Sequence, residues 1–185
     1  IDSDGSDKGA RFMQLCDAFD IPILFLCDTP GIMVGPEIEK TALVRHSSRM
    51  FLVGANLDIP TFTVIVRKSY GLGGIAMAGG SYKVPMATVA WPTAEFGAMG
   101  LEGSVKLGFR DVLAAIEDPA ERKAKYDELV AKEYVRGGAL NYATGFALDD
   151  TIDPAETRHW LGHLMASIRP PAPRTHKKRA SVDGW

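Results

Sequence analysis

The sequence predicts an α/β protein built on a mainly parallel sheet. The order helix, Asp-Ile-Pro, apolar strand occurs twice, at Asp20-Ile21-Pro22 and at Asp58-Ile59-Pro60, 38 residues apart. A third, shorter round runs through residues 72–80 and 84–91. Strands that alternate with helices imply crossover connections, and crossovers join parallel strands.

Taken in order, residues 6–19 read as a helix. Phe12, Leu15, Cys16 and Phe19 fall on one stripe, with Ser3, Asp4 or Ser6 as the N-cap. Ile23-Leu24-Phe25-Leu26-Cys27 is a strand whose continuous apolar character predicts cover on both faces. A second long helix is expected from about residue 37 to 57, and a second strand over 61–66. Pro22 and Pro60 sit at strand entries, where a missing N–H does least harm. After Asp118-Pro119, residues 120–133 form a charged helix with Glu121 and Lys125 at i,i+4 spacing. Its packing face is Tyr126, Leu129, Val130 and Tyr134. Asp153-Pro154-Ala155-Glu156 supplies an N-cap, an N1 proline and an N3 glutamate. Trp160, Leu161, Leu164, Met165 and Ile168 make the helix that follows amphipathic.

Composition sets the outer bounds. The 185 residues are 46% hydrophobic and 24% charged, which suits one folded body and excludes collagen, wholesale disorder and a disulfide scaffold. No apolar run approaches the roughly 20 residues that cross a bilayer. The net charge of −2 argues against a general nucleic-acid binder. Cys16 and Cys27 lie in apolar stretches and read as reduced core residues of a cytoplasmic protein. The chain opens on Ile1-Asp2-Ser3 without an initiator Met or a signal peptide, and is expected to be a piece of a longer protein. Pro170-Pro171-Ala172-Pro173 divides a body, residues 1–168, from a basic Pro-rich tail, residues 169–185. The body holds 16 basic and 22 acidic residues (−6), and the tail five basic and one acidic (+4). The tail reads first as solvated, and second as an anchor on a neighbouring subunit or an acidic ligand.

Few side chains announce chemistry. Asp28-Thr29-Pro30-Gly31 follows a strand, as a GTPase switch would, yet the phosphate-cradling loop that should precede it is missing. Those residues read instead as a tight loop at a strand's C-terminal end, where α/β proteins place ligands. His159 and His163 are four apart, but Trp160 stands where a zincin needs Glu and no third ligand is evident, so no metal site is expected. Gly71-Leu72-Gly73-Gly74-Ile75-Ala76 leaves three readings open. It fits a dinucleotide fingerprint, although Arg67-Lys68-Ser69-Tyr70 separate it from the expected strand end and a helix–strand round precedes it. Its glycines also suit close helix–sheet packing. Finally, a glycine turn entering a helix leaves backbone N–H groups unpaired, and these can hold a developing oxyanion. No Ser-His-Asp order, Cys-x-x-Cys pair or carboxylate pair stands out, so any catalysis falls largely to the backbone.

Taken together, several segments resemble one family. They are Ser6-Asp7-Lys8-Gly9-Ala10-Arg11-Phe12, Cys16 to Pro22, Asp28-Thr29-Pro30-Gly31, Arg67-Lys68-Ser69-Tyr70-Gly71, Ala90 to Gly100 and Asp149 to Arg158. In this order they look like the C-terminal half of the carboxyltransferase component of biotin-dependent acyl-CoA carboxylases. The resemblance implies a crotonase-type superhelix of ββα rounds with a helical C-terminal portion. It implies carboxyl transfer from N-carboxybiotin, borne on a carrier domain, to the α-carbon of an acyl-CoA, as in fatty acid metabolism. ATP is then used only at a partner biotin carboxylase. Other implied partners are the N-terminal carboxyltransferase half, the biotin carboxyl carrier and a second copy of the chain, with neither nucleic acid nor membrane. Active sites of the family form between halves of different protomers, so these 185 residues alone are not expected to turn over.

The family's Arg-Lys-Ala-Tyr-Gly-Gly-Ala turn falls on Arg67 to Gly73. That makes Leu72 and Gly73 the implied N–H donors to the biotin ureido oxygen, with a shift to Gly73 and Gly74 as the alternative. Tyr70 and Gly71 are implied in cofactor binding. Ile75 replaces an Asp usual in propionyl-type relatives and is implied at the acyl pocket, with Asp28, Thr29, Pro30, Gly31 and Ile32 lining the cavity. A decarboxylating or transcarboxylating relative and a non-catalytic scaffold are the competing readings.

Overall fold

The computed structural model describes residues 1–183; Gly184 and Trp185, the end of the basic tail, lie outside the described residues. Helix α1 (Ser3–Ala18) leads into strand β1 (Ile23–Thr29), and the short α2 (Pro36–Glu39) and α3 (Leu43–Gly54) lead into β2 (Thr61–Tyr70). A third helix–strand round is α4 (Gly71–Ala76) and β3 (Ala87–Ala90). Strand β4 (Glu95–Gly97), α5 (Leu101–Gly108), α6 (Arg110–Ala114), α7 (Pro119–Gly137), α8 (Ala139–Thr144), β5 (Asp150–Thr151) and α9 (Thr157–Ser167) follow. These strands pair in parallel, in the order β1-β2-β3-β5, with β4 against the end of β2, and Glu95 of β4 also makes a single antiparallel bridge to Gly138.

The 38-residue repeat becomes register. Ile23 stands beside Thr61 and Cys27 beside Ile65, so equivalent residues of the two rounds are neighbours in the sheet. Asp17, at the end of α1, is buried and accepts the N–H of Asp58 (2.8 Å), which ties the first round to the entry of the second.

Several expectations are corrected by packing. Asp2, not a later residue, caps α1 through the N–H of Gly5 (2.8 Å). The buried face of α1 is Ser6, Ala10, Met13, Cys16 and Asp17, while Phe12 and Phe19 are 58% and 72% exposed. Small residues decide this: Gly9 lies so close to Met50 of α3 that an added Cβ would sit 3.2 Å from its methyl. The expected helix over 37–57 is two helices, broken where Ala42 takes φ +56°. Strand β1 is covered on one face only. Ile23, Phe25, Cys27 and Thr29 are buried, whereas Leu24, Leu26 and Asp28 face outward, and α9 packs its Trp160 farther across the sheet, on β2 and β3. There Trp160 packs with Val64, Val89 and Ile152, and Trp91 donates its indole N–H to Thr157 (2.9 Å). In α7, Leu129 with Tyr126 and Val130 packs on Val105 and Leu113, but Lys125 pairs with Glu128 rather than Glu121.

The tail folds back instead of trailing in solvent. Lys178 Nζ (2.8 Å) and Arg179 Nε (2.5 Å) reach Asp17, Arg174 pairs with Asp20, and the Asp183 carboxylate accepts from Gln14 (2.9 Å). Burial by itself would raise the Asp17 pKa, but Lys178, the Asp58 N–H and Arg179 outweigh it and hold the carboxyl below its ordinary value.

Candidate active site

The site is set by an irregularity in the β1–β2 pairing. Residues pair in step up to Cys27–Ile65, after which Thr29 stands beside Ser69. Two steps of β1 thus match four of β2, and the extra residues bulge outward, as extra residues in a ladder must. Asp28 pins this bulge. Its carboxylate accepts the N–H of Lys68 (3.1 Å) and the Nε–H of Arg67 (3.1 and 3.2 Å), and that Arg67 bond holds its pKa below the usual carboxylate value. The bulge delivers the two strand ends, Thr29 and Tyr70, to the same edge of the sheet.

What leaves each strand end differs. After β1, Thr29 Oγ1 accepts the N–H of Gly31 (3.2 Å), which tightens the loop through Pro30. After β2, the chain enters α4 at once, with Gly71 at φ +56°. The two exits touch: a Cβ on Gly73 would lie 2.5 Å from the carbonyl carbon of Gly31 and 2.6 Å from its Cα. A Cβ on Gly71 would meet Ala98 O at 2.7 Å, and one on Gly74 would meet Ser69 Oγ at 2.4 Å. Close packing therefore accounts for all three glycines. The dinucleotide reading meets one correction, since β2 runs through Tyr70 and leaves no gap before Gly71. The objection that stands is order, because a complete helix–strand round precedes the motif.

Two clefts open on either side of the Gly71–Leu72 backbone. One, of about 530 Å³, is lined by Pro30, Gly31, Ile32, Val34, Tyr70 and Met99, among others. The second, of about 410 Å³, is lined by Ser69, Ile75, Tyr82, Gly97 and Tyr142. Gly71, Leu72 and Ala98 belong to both. The structure thus brings Tyr70 and Pro30-Gly31-Ile32 together but places Ile75 across the turn from them. Asp28, Thr29, Gly73 and Gly74 line neither cleft: Asp28 and Thr29 hold the bulge and the loop, and Gly73 and Gly74 are buried against Gly31 and Ser69. The Tyr70 hydroxyl donates to Glu95 Oε2 (2.5 Å), and burial together with Glu95 raises its pKa.

Sequence reasoning assigned no role to Ser69, Tyr82 or Tyr142. Ser69 Oγ shares a hydrogen bond with the Tyr82 hydroxyl (2.8 Å) and approaches Cys27 Sγ (3.4 Å). Burial pushes the Tyr82 phenol up to about 12. Phe96 stacks on Tyr142 with ring centroids 4.1 Å apart, and Tyr82 meets both rings edge-on. Ser69 stands where the family's turn has Ala, and that departure was the available signal. Its hydroxyl, with the carbonyl carbon and Cα of the same residue, fills the space that a Cβ at 74 would need. Among the described residues, no group of three or more His, Cys, Asp or Glu side chains is arranged to hold a metal, and no helix is long and apolar enough to cross a membrane.

The carboxyl transferase domain family model matches residues 1–179. A propionyl-CoA carboxylase carboxyltransferase subunit of Haloferax mediterranei is 38% identical over 172 residues, which cover 91% of this chain and 32% of that protein. Among solved structures, a single-chain, multi-domain long-chain acyl-CoA carboxylase is 52% identical, with a TM-score of 0.77 over 89% of this chain and 16% of its own. Transcarboxylase 12S, a hexamer solved with methylmalonyl-coenzyme A and methylmalonic acid bound, is 32% identical, with a TM-score of 0.82 over 98% of this chain and 35% of its own. These neighbours are crotonase-fold carboxyltransferases, and this chain shares their α/β architecture. The chain spans about a third of the length of the curated relatives it matches.

Proposed function

Because the chain belongs to the carboxyl transferase domain family, we propose that it forms the biotin-side half of a carboxyltransferase centre that moves a carboxyl group from N-carboxybiotin to the α-carbon of an acyl-CoA. The observation that carries this reading is the glycine turn at the end of β2, wedged against Gly31 and flanked by two clefts. A site for a ureido oxygen needs backbone donors beside a cleft; Gly71 and Leu72 line both clefts, and Gly73 is the next residue of the same turn. The first N–H groups of α4 lack partners within the helix, and the peptide dipoles behind them favour developing negative charge.

In this reading the N–H groups of Leu72 and Gly73 hold the ureido oxygen. Gly71, at φ +56°, aims the turn; Tyr70, fixed by Glu95, and the Pro30–Ile32 loop bound the ring. Carboxybiotin, when bound, supplies the carboxyl group and the base for the α-proton, so no side-chain base is required of this chain. The thioester oxygen is held by the N-terminal half, contributed by another protomer. Biotin carboxylase, which consumes ATP, and the carrier domain complete the assembly.

Removing donors one at a time tests the assignment. Replacing an amide by an ester at residue 72, 73 or 74 of the full-length enzyme deletes one N–H and adds no side chain. Esters at 72 and 73 should each lower kcat by about 10²–10³, the usual cost of one oxyanion donor. The same loss at 73 and 74, with 72 unaffected, would move the pair by one residue; no loss at any of the three would end the proposal. The isolated 185-residue chain should not transfer carboxyl groups to acetyl-CoA, and measurable turnover would contradict the shared-site reading. The likeness to transcarboxylase 12S favours a second reading, in which carboxyl groups are withdrawn from a malonyl-type CoA. Assaying the full-length enzyme in both directions separates the two.

A further inference from the structure

The tail that returns to Asp17 carries a feature that neither the fold nor the carboxyltransferase centre uses. Its sequence there is Lys177-Lys178-Arg179-Ala180-Ser181-Val182, which places a hydroxyl two residues after an arginine and three after a lysine. Protein kinases select many substrates by charge pattern, and basic side chains just ahead of a serine are what an acidic kinase cleft reads. Two structural conditions for such a substrate are met. Residues 169–183 form neither helix nor strand, so the segment can enter a cleft in extended form. Ser181 is exposed, and among the described residues none bonds to its hydroxyl.

The basic residues are in the opposite state. Lys178 Nζ lies 2.8 Å from Asp17 and 3.4 Å from Asp20. Arg179 bonds Asp17 through Nε and donates a second N–H to Asn56 O (3.0 Å). Their side chains are only 11% and 22% exposed. The cations that a kinase would read are thus the cations that dock the tail.

We propose that Ser181 is a phosphorylation site for a serine kinase that recognises basic residues, and that docking of Lys178 and Arg179 on Asp17 gates it. The Ser181 oxygen attacks the terminal phosphorus of ATP, and the bond from that phosphorus to its bridging oxygen breaks. ADP leaves, and the hydroxyl proton passes to the kinase's catalytic carboxylate. Because the kinase cleft and Asp17 compete for the same two side chains, only the released tail is a substrate. The product phosphate carries a charge of about −1.5 to −2 and stands two residues from Arg179. It competes with Asp17 for the same cations and so keeps the tail released. Arg49 and Arg11 of the body already engage Asp7 and Asp183.

The test incubates the full-length holoenzyme with ATP and the catalytic subunit of cAMP-dependent protein kinase, which has this charge preference. Mass spectrometry should find phosphate on Ser181, and Ser181→Ala should lose it. Asp20→Asn loosens the dock without touching the motif, and asparagine tolerates the φ of +56° that residue 20 adopts. It should be modified about two- to fivefold faster than wild type, as expected from losing ion pairs of ordinary strength. If Asp20→Asn misfolds, Arg174→Gln, which removes one of the same pairs from the tail side, decides. Trypsin should cut after Arg174 faster in the phosphorylated enzyme than in the unmodified one. No phosphate on Ser181 in either wild type or the loosened variant would overturn the site. Equal rates in those two proteins would overturn the gate, and equal or slower cutting after phosphorylation would overturn the release.

Discussion

Strands β1 and β2 begin as copies. Each follows a helix and an Asp-Ile-Pro, and Ile23 to Cys27 pair in step with Thr61 to Ile65. Their exits then diverge. Beyond β1 the chain is held by groups that are present: the Thr29 hydroxyl on the Gly31 N–H and the Asp28 carboxylate on the bulge. Beyond β2 it is held by groups that are absent, since Gly71, Gly73 and Gly74 bring backbone within a distance that no Cβ allows. One exit can lose a bond and survive. The other cannot gain an atom without moving the active turn.

That asymmetry can be broken from either side. Gly73→Ala should have the largest effect. Its methyl would overlap the Gly31 backbone, which cannot rotate away, so stability should fall by about 3 kcal/mol, at or above the upper end of ordinary overpacking. Activity of the full-length enzyme should fall with it; a thermal melt and an assay that both match wild type would show that the exits are not in contact. Asp17→Ala comes next, because it removes the carboxylate that joins α1 to the entry of β2 and to the tail. Losing one member of that buried group should cost about 3 kcal/mol by urea titration. The same carboxyl titrates below its ordinary value when folded, so its contribution is complete above the unfolded pKa and disappears as pH falls through the folded one.

The β1 exit should prove more forgiving. Thr29→Val keeps the shape and deletes the hydroxyl, leaving one half-buried N–H unpaired at about 1 kcal/mol. Asp28→Asn should be mildest, at roughly 0–1 kcal/mol, because the pair with Arg67 is solvent-facing. Its signature is pH dependence. The Asp28 pKa is lowered by Arg67, so wild type and variant should differ in melting temperature at neutral pH and converge as pH falls through the folded Asp28 value. A constant difference across that range would place the effect elsewhere.

Much of the fold was legible because it is written in local patterns. The Asp-Ile-Pro repeat predicted two strands of a parallel sheet, and Asp118 caps α7, while Asp153 caps a 3-10 turn (Pro154–Glu156) just ahead of α9. The glycine turn was legible as a site of close approach, and the separation of Ile75 from the Pro30–Ile32 loop was not. Tyr82 and Tyr142 escaped notice because they are 60 residues apart in sequence and meet each other and Phe96 only once the chain is folded. The face of α1 was misjudged because hydrophobicity ranks Phe12 and Phe19 above Ser6 and Ala10. Close packing against α3 favours the small residues.

By itself, then, the sequence determined the main helix–strand rounds, that their strands run parallel, and that the glycine turn follows the second strand. Those properties follow from periodicity, from proline and glycine stereochemistry, and from short-range spacing. The tertiary structure decided the two-residue slip between β1 and β2, the meeting of Gly31 with Gly73, the aromatic wall across the turn, and the tail's return to Asp17. Each of these depends on volume and charge contributed by residues far apart in the chain, and becomes definite only when those residues share one space.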